Sequence, residues 1–212
     1  MGTVFLGGWV VPVLMTTFLV MLSFVIERSL TIFKARGKVS NGEFIKKVQY
    51  HLSTKNIDGA IAECDKQSGS VGNVMRAGLK KYKEMISSSE FSTDQKVAAI
   101  QKEVEEATAL ELPMLSKNLV FLSTITSLAT LIALLGTVLG MIRSFAAMSK
   151  GSPDTAALAT GISEALINTA FGITASTLAI ILYNFFSTKI DTMTYSIDEA
   201  SFTIVQDFSA TN

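Results

Sequence analysis

Glu164 is the residue whose type and place first suggest chemistry. It stands at the head of Gly161-Ile162-Ser163-Glu164-Ala165-Leu166-Ile167-Asn168-Thr169-Ala170-Phe171-Gly172, and no further charge follows before Phe186. A carboxylate at depth in a bilayer costs roughly 2.5 kcal/mol or more, so an acid here marks either a membrane edge or a path for ions. Asn168, Thr169, Thr174, Ser176 and Thr177 add polar groups that lipid contact disfavours. Glu164, Asn168 and Gly172 share one helical face, flanked by Thr169 and Ser176, whereas Thr174, Thr177, Asn184 and Thr188 occupy another. An apolar stretch upstream carries Ser123, Ser127, Thr130, Thr137 and Ser144 at steps of three, four or seven, again on one face. Hydroxyls of this kind either bond across to a neighbouring helix or back to their own, so packing alone is the plainer reading of any single one.

These residues need elements that hold them in a membrane. Three apolar stretches, Val4 to Ile26, Leu119 to Ile142 and Ile162 to Phe186, are each long enough to cross a hydrocarbon core of about 30 Å, which takes about 20 residues. The first is expected to be a retained anchor, since no Lys or Arg precedes Glu27 to make the basic start of a secretory signal. All but three of the Lys and Arg residues lie between Glu27 and Lys117, the others being Arg143, Lys150 and Lys189. Basic residues near span ends mark the cytoplasmic side, so Arg28, Lys34, Arg36 and Lys38 put this loop inside. The N-terminus is then outside and the C-terminus inside. The expected organisation is a first transmembrane helix in 1–26, a cytoplasmic helical loop in 27–118, and a second transmembrane helix in 119–149 whose helix begins near 93. A periplasmic connection in 150–161, a third transmembrane helix in 162–188 and a cytoplasmic helical tail in 189–212 complete it. The fold class is all-α: an integral membrane protein with three transmembrane helices, two extended into the cytoplasm, plus a small helical cytoplasmic region.

Within the loop, Ser40 and Glu43 have the spacing of a capping box before Phe44, Ile45 and Val48. Asp58 to Lys66 reads as a short helix ended by Ser68-Gly69-Ser70, another covers about Val74 to Met85, and Ser87-Ser88-Ser89 marks a break. From Thr93, Val97, Ile100, Val104, Ala107 and Leu110 repeat at helical steps that feed into the second span, with Pro113 expected to kink the helix or mark its entry. Ile190, Met193, Ile197, Ala200 and Ile204 carry the third span's stripe past Lys189. A helix from Ile162 to Ile204 is about 60 Å long, so its stripe needs partners beyond the membrane. Ser152-Pro153-Asp154 has the composition of a helix start. Trp9 suits an outer interface, and Gly136 with Gly140 reads as close helix approach rather than a dedicated dimer motif.

Composition excludes several classes. Lys plus Arg and Asp plus Glu number 18 each, so the basic footprint of a nucleic-acid binder is missing. One cysteine, Cys64, and one histidine, His51, build neither a disulfide framework nor a zinc site. No phosphate loop or recognisable catalytic set is present, which leaves no case for an enzyme and none for a cofactor.

Two segments together resemble the MotA/TolQ/ExbB proton-channel family. Leu135-Gly136-Thr137-Val138-Leu139-Gly140-Met141-Ile142-Arg143-Ser144-Phe145 is similar to its second-span signature, and Gly161 to Gly172 to its third. Glu27-Arg28 and Lys117-Asn118-Leu119 fit as well. Three spans with one large loop are similar to ExbB and TolQ rather than to four-span MotA. The resemblance implies a homopentamer in the bacterial inner membrane around a pore that holds a dimer of an ExbD/TolR-like partner. That partner has one span with an essential Asp, and a TonB/TolA-like protein lies beyond it. The family's pore hydroxyls fall on Thr137 and Thr169, and its third-span glutamate on Glu164. Where the family usually has Ala-Pro this chain has Leu128-Ala129-Thr130-Leu131, with Ala133 in place of a usual Gly, so Thr130 adds a hydroxyl one heptad before Thr137. The implied function is a motor subunit that passes H⁺ or Na⁺; the alternative is a membrane scaffold with no ion path. Val138, Met141, Leu134 and Leu166 are candidates for a constriction, and Glu164 is a candidate either to draw cations towards the entrance or to pair with Arg143 across subunits.

Overall fold

The computed structural model describes residues 8–149 and 154–211. Among them are seven helices and no strand: α1 Val10–Ala35, α2 Asn41–Ser53, α3 Ile57–Gln67, α4 Ser70–Ser87, α5 Thr93–Ser116, α6 Leu119–Met148 and α7 Thr155–Thr211. Three of the helical segments are long and apolar enough to cross a membrane. Contacts divide the chain into two compact units, Met1–Arg28 with Asn118–Phe186, and Ser29–Lys117 with Ser187–Asn212.

The second unit is a helical bundle with an ordinary apolar core. Phe44, Ile45, Val48 and Leu52 of α2, Ala60 and Cys64 of α3, and Val74, Met75, Leu79 and Tyr82 of α4 pack with Ile100 and Val104 of α5. Ile197, Ala200, Ile204 and Phe208 of α7 complete the cluster, so the stripe beyond Lys189 finds its partners within its own chain. The Tyr82 ring meets Phe208 edge-on at 4.9 Å, and its hydroxyl donates to Asp207 at 2.9 Å. Burial pushes the Cys64 thiol up to about 12, which leaves it a protonated, inert core residue. Buried Gln67 brackets the loop after α1: its amide donates to the Val39 carbonyl at 2.8 Å and accepts from the Val39 amide at 3.0 Å.

Two local expectations are corrected. Ser40 precedes α2 but makes no capping bond through its side chain; Glu43 instead pairs with Lys47 at 3.0 Å. The reciprocal capping box is at Ser92 and Gln95, before α5. The helical run from Thr93 does not continue unbroken into the second span. Pro113 sits inside α5, which ends at Ser116, and Asn118 takes a left-handed φ of 64° before α6 begins. Asn is among the few residues that tolerate that conformation.

At the start of α7, the Asp154 carboxylate accepts from the amides of Ala156 and Ala157 at 3.0 Å each, so Asp154 is the cap. Ser152 and Pro153, along with Val4 to Gly7 of the expected first span, lie outside the described residues.

The first unit is built the other way round. Large residues such as Leu14, Met21 and Leu122 are buried in it, but where α6 and α7 face each other many of the buried positions are small: Ala129, Ala133, Gly136 and Gly140 on α6, and Gly161, Ala165, Gly172, Ala175 and Ala179 on α7. Large apolar residues face outward from the same helices, among them Leu131, Leu135, Ile142, Ile173 and Ile181. That inversion fits a lipid solvent, where oily side chains gain nothing from hiding and small residues let helices approach. From α1, Val10 and Leu14 pack on Ala133, and Phe24 stacks on Phe121 at 5.0 Å.

Candidate functional site

Two antiparallel helices, α6 and α7, build the site as a series of cross-helix contacts. At one end the Ser176 hydroxyl donates to the Thr126 carbonyl at 2.6 Å. Next, Gly172 sits so close to Ala133 that a methyl group there would collide with it. Asn168 lies over Gly136, with its amide nitrogen 2.8 Å from where a Cβ would stand. One residue on, the hydroxyls of Thr137 and Thr169 lie 2.6 Å apart. Gly140 faces Gly161 and Ala165, and Arg143 donates to a Glu164 oxygen at 2.7 Å. The buried Ser144 hydroxyl closes the series on the carbonyl of Leu158 at 3.1 Å. Gly136 and Gly140 therefore serve close approach within one chain, as expected.

The centre of this series is a hydroxyl pair on a backbone carbonyl. Thr169 donates to Ala165 at 3.0 Å, and Thr137 reaches the carbonyl of Ala133 at 3.0 Å and that of Ala165 at 3.5 Å. Two hydroxyl protons serve three acceptor sets, so at any moment some oxygen lone pairs remain open. Such a group can relay a proton or supply oxygen ligands to a dehydrated cation. Both threonines are half-buried, which leaves them reachable from one side.

The structure brings Thr137, Thr169 and Glu164 onto one seam, but it does not bring Thr130 to the pair. Thr130 bonds back to the Thr126 carbonyl at 3.4 Å. The polar stripe on α6 also divides: Ser123 and Ser127 are exposed, whereas Ser144 is buried. Thr174, Thr177, Asn184 and Thr188 likewise face outward. The Arg143 guanidinium and the Glu164 carboxylate pair within one chain. Gly8, with φ of 66°, stands beside it; a Cβ there would lie 3.1 Å from a Glu164 oxygen.

One buried group was not legible as special. Asn168 is 2 % exposed, and its Oδ1 has no hydrogen-bond partner. Among the described residues no cluster of three or more His, Cys, Asp or Glu is placed to hold a metal ion.

The sequence profile of the MotA/TolQ/ExbB proton channel family matches residues 66–199, which include all of the seam. The chain is 42 % identical over 87 residues to the biopolymer transport protein ExbB-like 3 of Synechocystis, covering 39 % of this chain and 41 % of that one. It is 34 % identical over 126 residues to the Tol-Pal system protein TolQ of Pseudomonas aeruginosa, covering 59 % and 54 %. It is 38 % identical over 81 residues to the biopolymer transport protein ExbB of Pseudomonas putida, covering 38 % and 25 %. The matches thus span about half the length, or less, of these relatives.

Proposed function

This chain belongs to the MotA/TolQ/ExbB proton channel family, and on that footing we propose that it is the ring-forming subunit of an ion-driven motor in the bacterial inner membrane. The observation that carries the reading is the Thr137–Thr169 hydroxyl pair, half-buried between two helices apolar enough to span a membrane. Five copies surround a dimer of an ExbD/TolR-like single-span protein, whose Asp carries the proton. The two threonines solvate the proton while it rests on that carboxylate, and Glu164 marks the outer end of the path. Thr130 is the next hydroxyl along the same face. Each 100 mV of membrane potential supplies about 2.3 kcal/mol per charge, which biases the partner's movement. The work done is the energising of TonB-dependent outer-membrane transport or of a Tol-like envelope system through a TonB/TolA-like protein.

Orientation follows the basic residues after the first span, with the N-terminus outside and the C-terminus inside. Leu134, Val138 and Leu166 are exposed on the single chain, as residues must be if they are to line an apolar constriction between copies. That constriction keeps the ring closed to ions until the partner is present.

A membrane scaffold is the second reading, favoured by the hydroxyls of Thr130 and Thr174, which only return to their own helix. Proton flux separates the two. Liposomes holding the chain with its single-span partner should conduct, liposomes with the chain alone should not, and Thr137→Val/Thr169→Val should silence the pair at normal abundance. Full flux in that double variant would leave the scaffold reading standing.

A further inference from the structure

We propose that Arg143 is a positioning residue for the ion path: its bond to Glu164 holds α6 and α7 in the register that joins Thr137 to Thr169. The proposal rests on the ion-path reading for its functional consequence, but not for its geometry. Arg143 follows Thr137 by six residues and Glu164 precedes Thr169 by five. On antiparallel helices these offsets place the ion pair about 8 Å beyond the hydroxyl pair, on the next contact but one along the seam.

The contacts between them cannot fix that register alone. Gly140 against Gly161 and Ala165 is a contact of small residues, which permits approach without specifying position. An arginine–carboxylate bond at 2.7 Å is directional and stronger than a neutral one, and it selects one axial alignment. Slippage of α7 by one residue moves the Thr169 oxygen by about 1.5 Å and turns it by about 100° away from Thr137.

The environment supports a fixed pair rather than a free acid. The Glu164 side chain keeps only 16 % of its exposure, and the Gly8 backbone lies over it. Glu164 therefore acts on the path through Arg143 and alignment. The moving charge rests elsewhere.

The experiment uses the full chain in native membranes with Cys64→Ala as background. Thr137→Cys/Thr169→Cys reports register through the rate of disulfide formation, read as protection from a maleimide polymer. Arg143→Gln and Glu164→Gln are each expected to slow that rate about threefold to tenfold, and their combination to slow it no further, as one shared bond requires. Charge exchange, Arg143→Glu/Glu164→Arg, should restore the rate, and Arg143→Lys should restore part of it. In the chain with both threonines intact, ion-driven function should follow the same order. An unchanged rate in Arg143→Gln, or a charge exchange as slow as Arg143→Gln with Arg143→Lys equally slow, overturns the proposal. If the rates behave as expected but Thr137→Val/Thr169→Val keeps full function, the alignment role stands and the ion-path reading falls.

Discussion

The Thr137 hydroxyl lies 2.6 Å from the Thr169 hydroxyl, and both reach towards the carbonyl of Ala165. At that separation one hydroxyl must donate to the other. Turning one changes what the other can offer to a passing ion, so the two behave as a single group.

That coupling gives the first prediction. Thr137→Val and Thr169→Val should each lower ion-driven function, measured by complementation of a deletion strain with membrane abundance checked by blotting. The double variant should be little worse than the more damaging single one, with a coupling of about 0.5–3 kcal/mol. Val keeps the shape of Thr, so assembly should persist. Independent, multiplicative losses would mean that the hydroxyls act separately.

The second prediction concerns helix starts that look alike in sequence. Ser40 and Ser92 are each followed three residues later by Glu or Gln, yet only Ser92 accepts from the Gln95 amide, at 3.4 Å, while Gln95 returns the bond to Ser92 at 3.0 Å. Ser92→Ala should cost about 1 kcal/mol and raise amide exchange in the first turn of α5. Ser40→Ala should change exchange at the start of α2 little. The opposite ranking would show that the Ser92 cap carries no stability.

This contrast shows why some of the structure was legible and some was not. Apolar spacing reveals which residues turn inward, because helix geometry fixes their angle; Ile197, Ala200 and Ile204 were readable for that reason. Capping depends on which partner a side chain chooses, and Glu43 has Lys47 within reach. The break at Asn118 was hidden because apolar residues continue on both sides of it while one backbone angle changes. At the site, Glu164 stood out by its type and place, and Thr137 and Thr169 through motif resemblance. The division of the α6 stripe did not, since an angle on a helix does not say which neighbour occupies it. Arg143 was visible as a charge, but only the fold shows that its partner is in its own chain.

Cys64 supports a prediction about alkaline pH. Its thiol is pushed up to about 12 by burial, above its ordinary value of 9.0. The unfolded chain therefore loses this proton first as pH rises from 9, and the folded form binds more protons across that window. Stability should fall between those values, by linkage. The loss should be smaller in Cys64→Ala, compared by thermal unfolding at pH 8 and pH 10. In the native protein at neutral pH, maleimide should leave Cys64 unmodified until denaturant is added. Rapid native labelling would contradict its burial.

Asn168 supplies the fourth. Its Oδ1 is buried without a partner, a state that costs about 1–3 kcal/mol. Leu shares the branched outline of Asn, is bulkier and carries no acceptor. Asn168→Leu should therefore leave the thermal midpoint in detergent unchanged or raise it, despite the tight seat over Gly136. A large fall in the midpoint would mean that the amide holds a bond essential to the fold.

The last prediction tests the small-residue seam by exchanging sizes across it. A Cβ on Gly172 would collide with Ala133 and come within 2.9 Å of the Ala129 carbonyl. Both obstacles lie on α6, and neither is the end of a flexible side chain, so α6 and α7 must part. Gly172→Ala should then destabilise the chain by about 1–3 kcal/mol, the usual cost of overfilling a packed contact. Parting the helices here also separates Thr137 from Thr169, so function should fall with stability. Ala133→Gly removes the first obstacle and leaves the second. Gly172→Ala/Ala133→Gly should accordingly recover part of the lost stability and part of the function, measured by the thermal midpoint and by complementation. A double variant as impaired as the sum of its two changes would show that Gly172 and Ala133 do not meet in the membrane, and the register drawn along α6 and α7 would have to be redrawn.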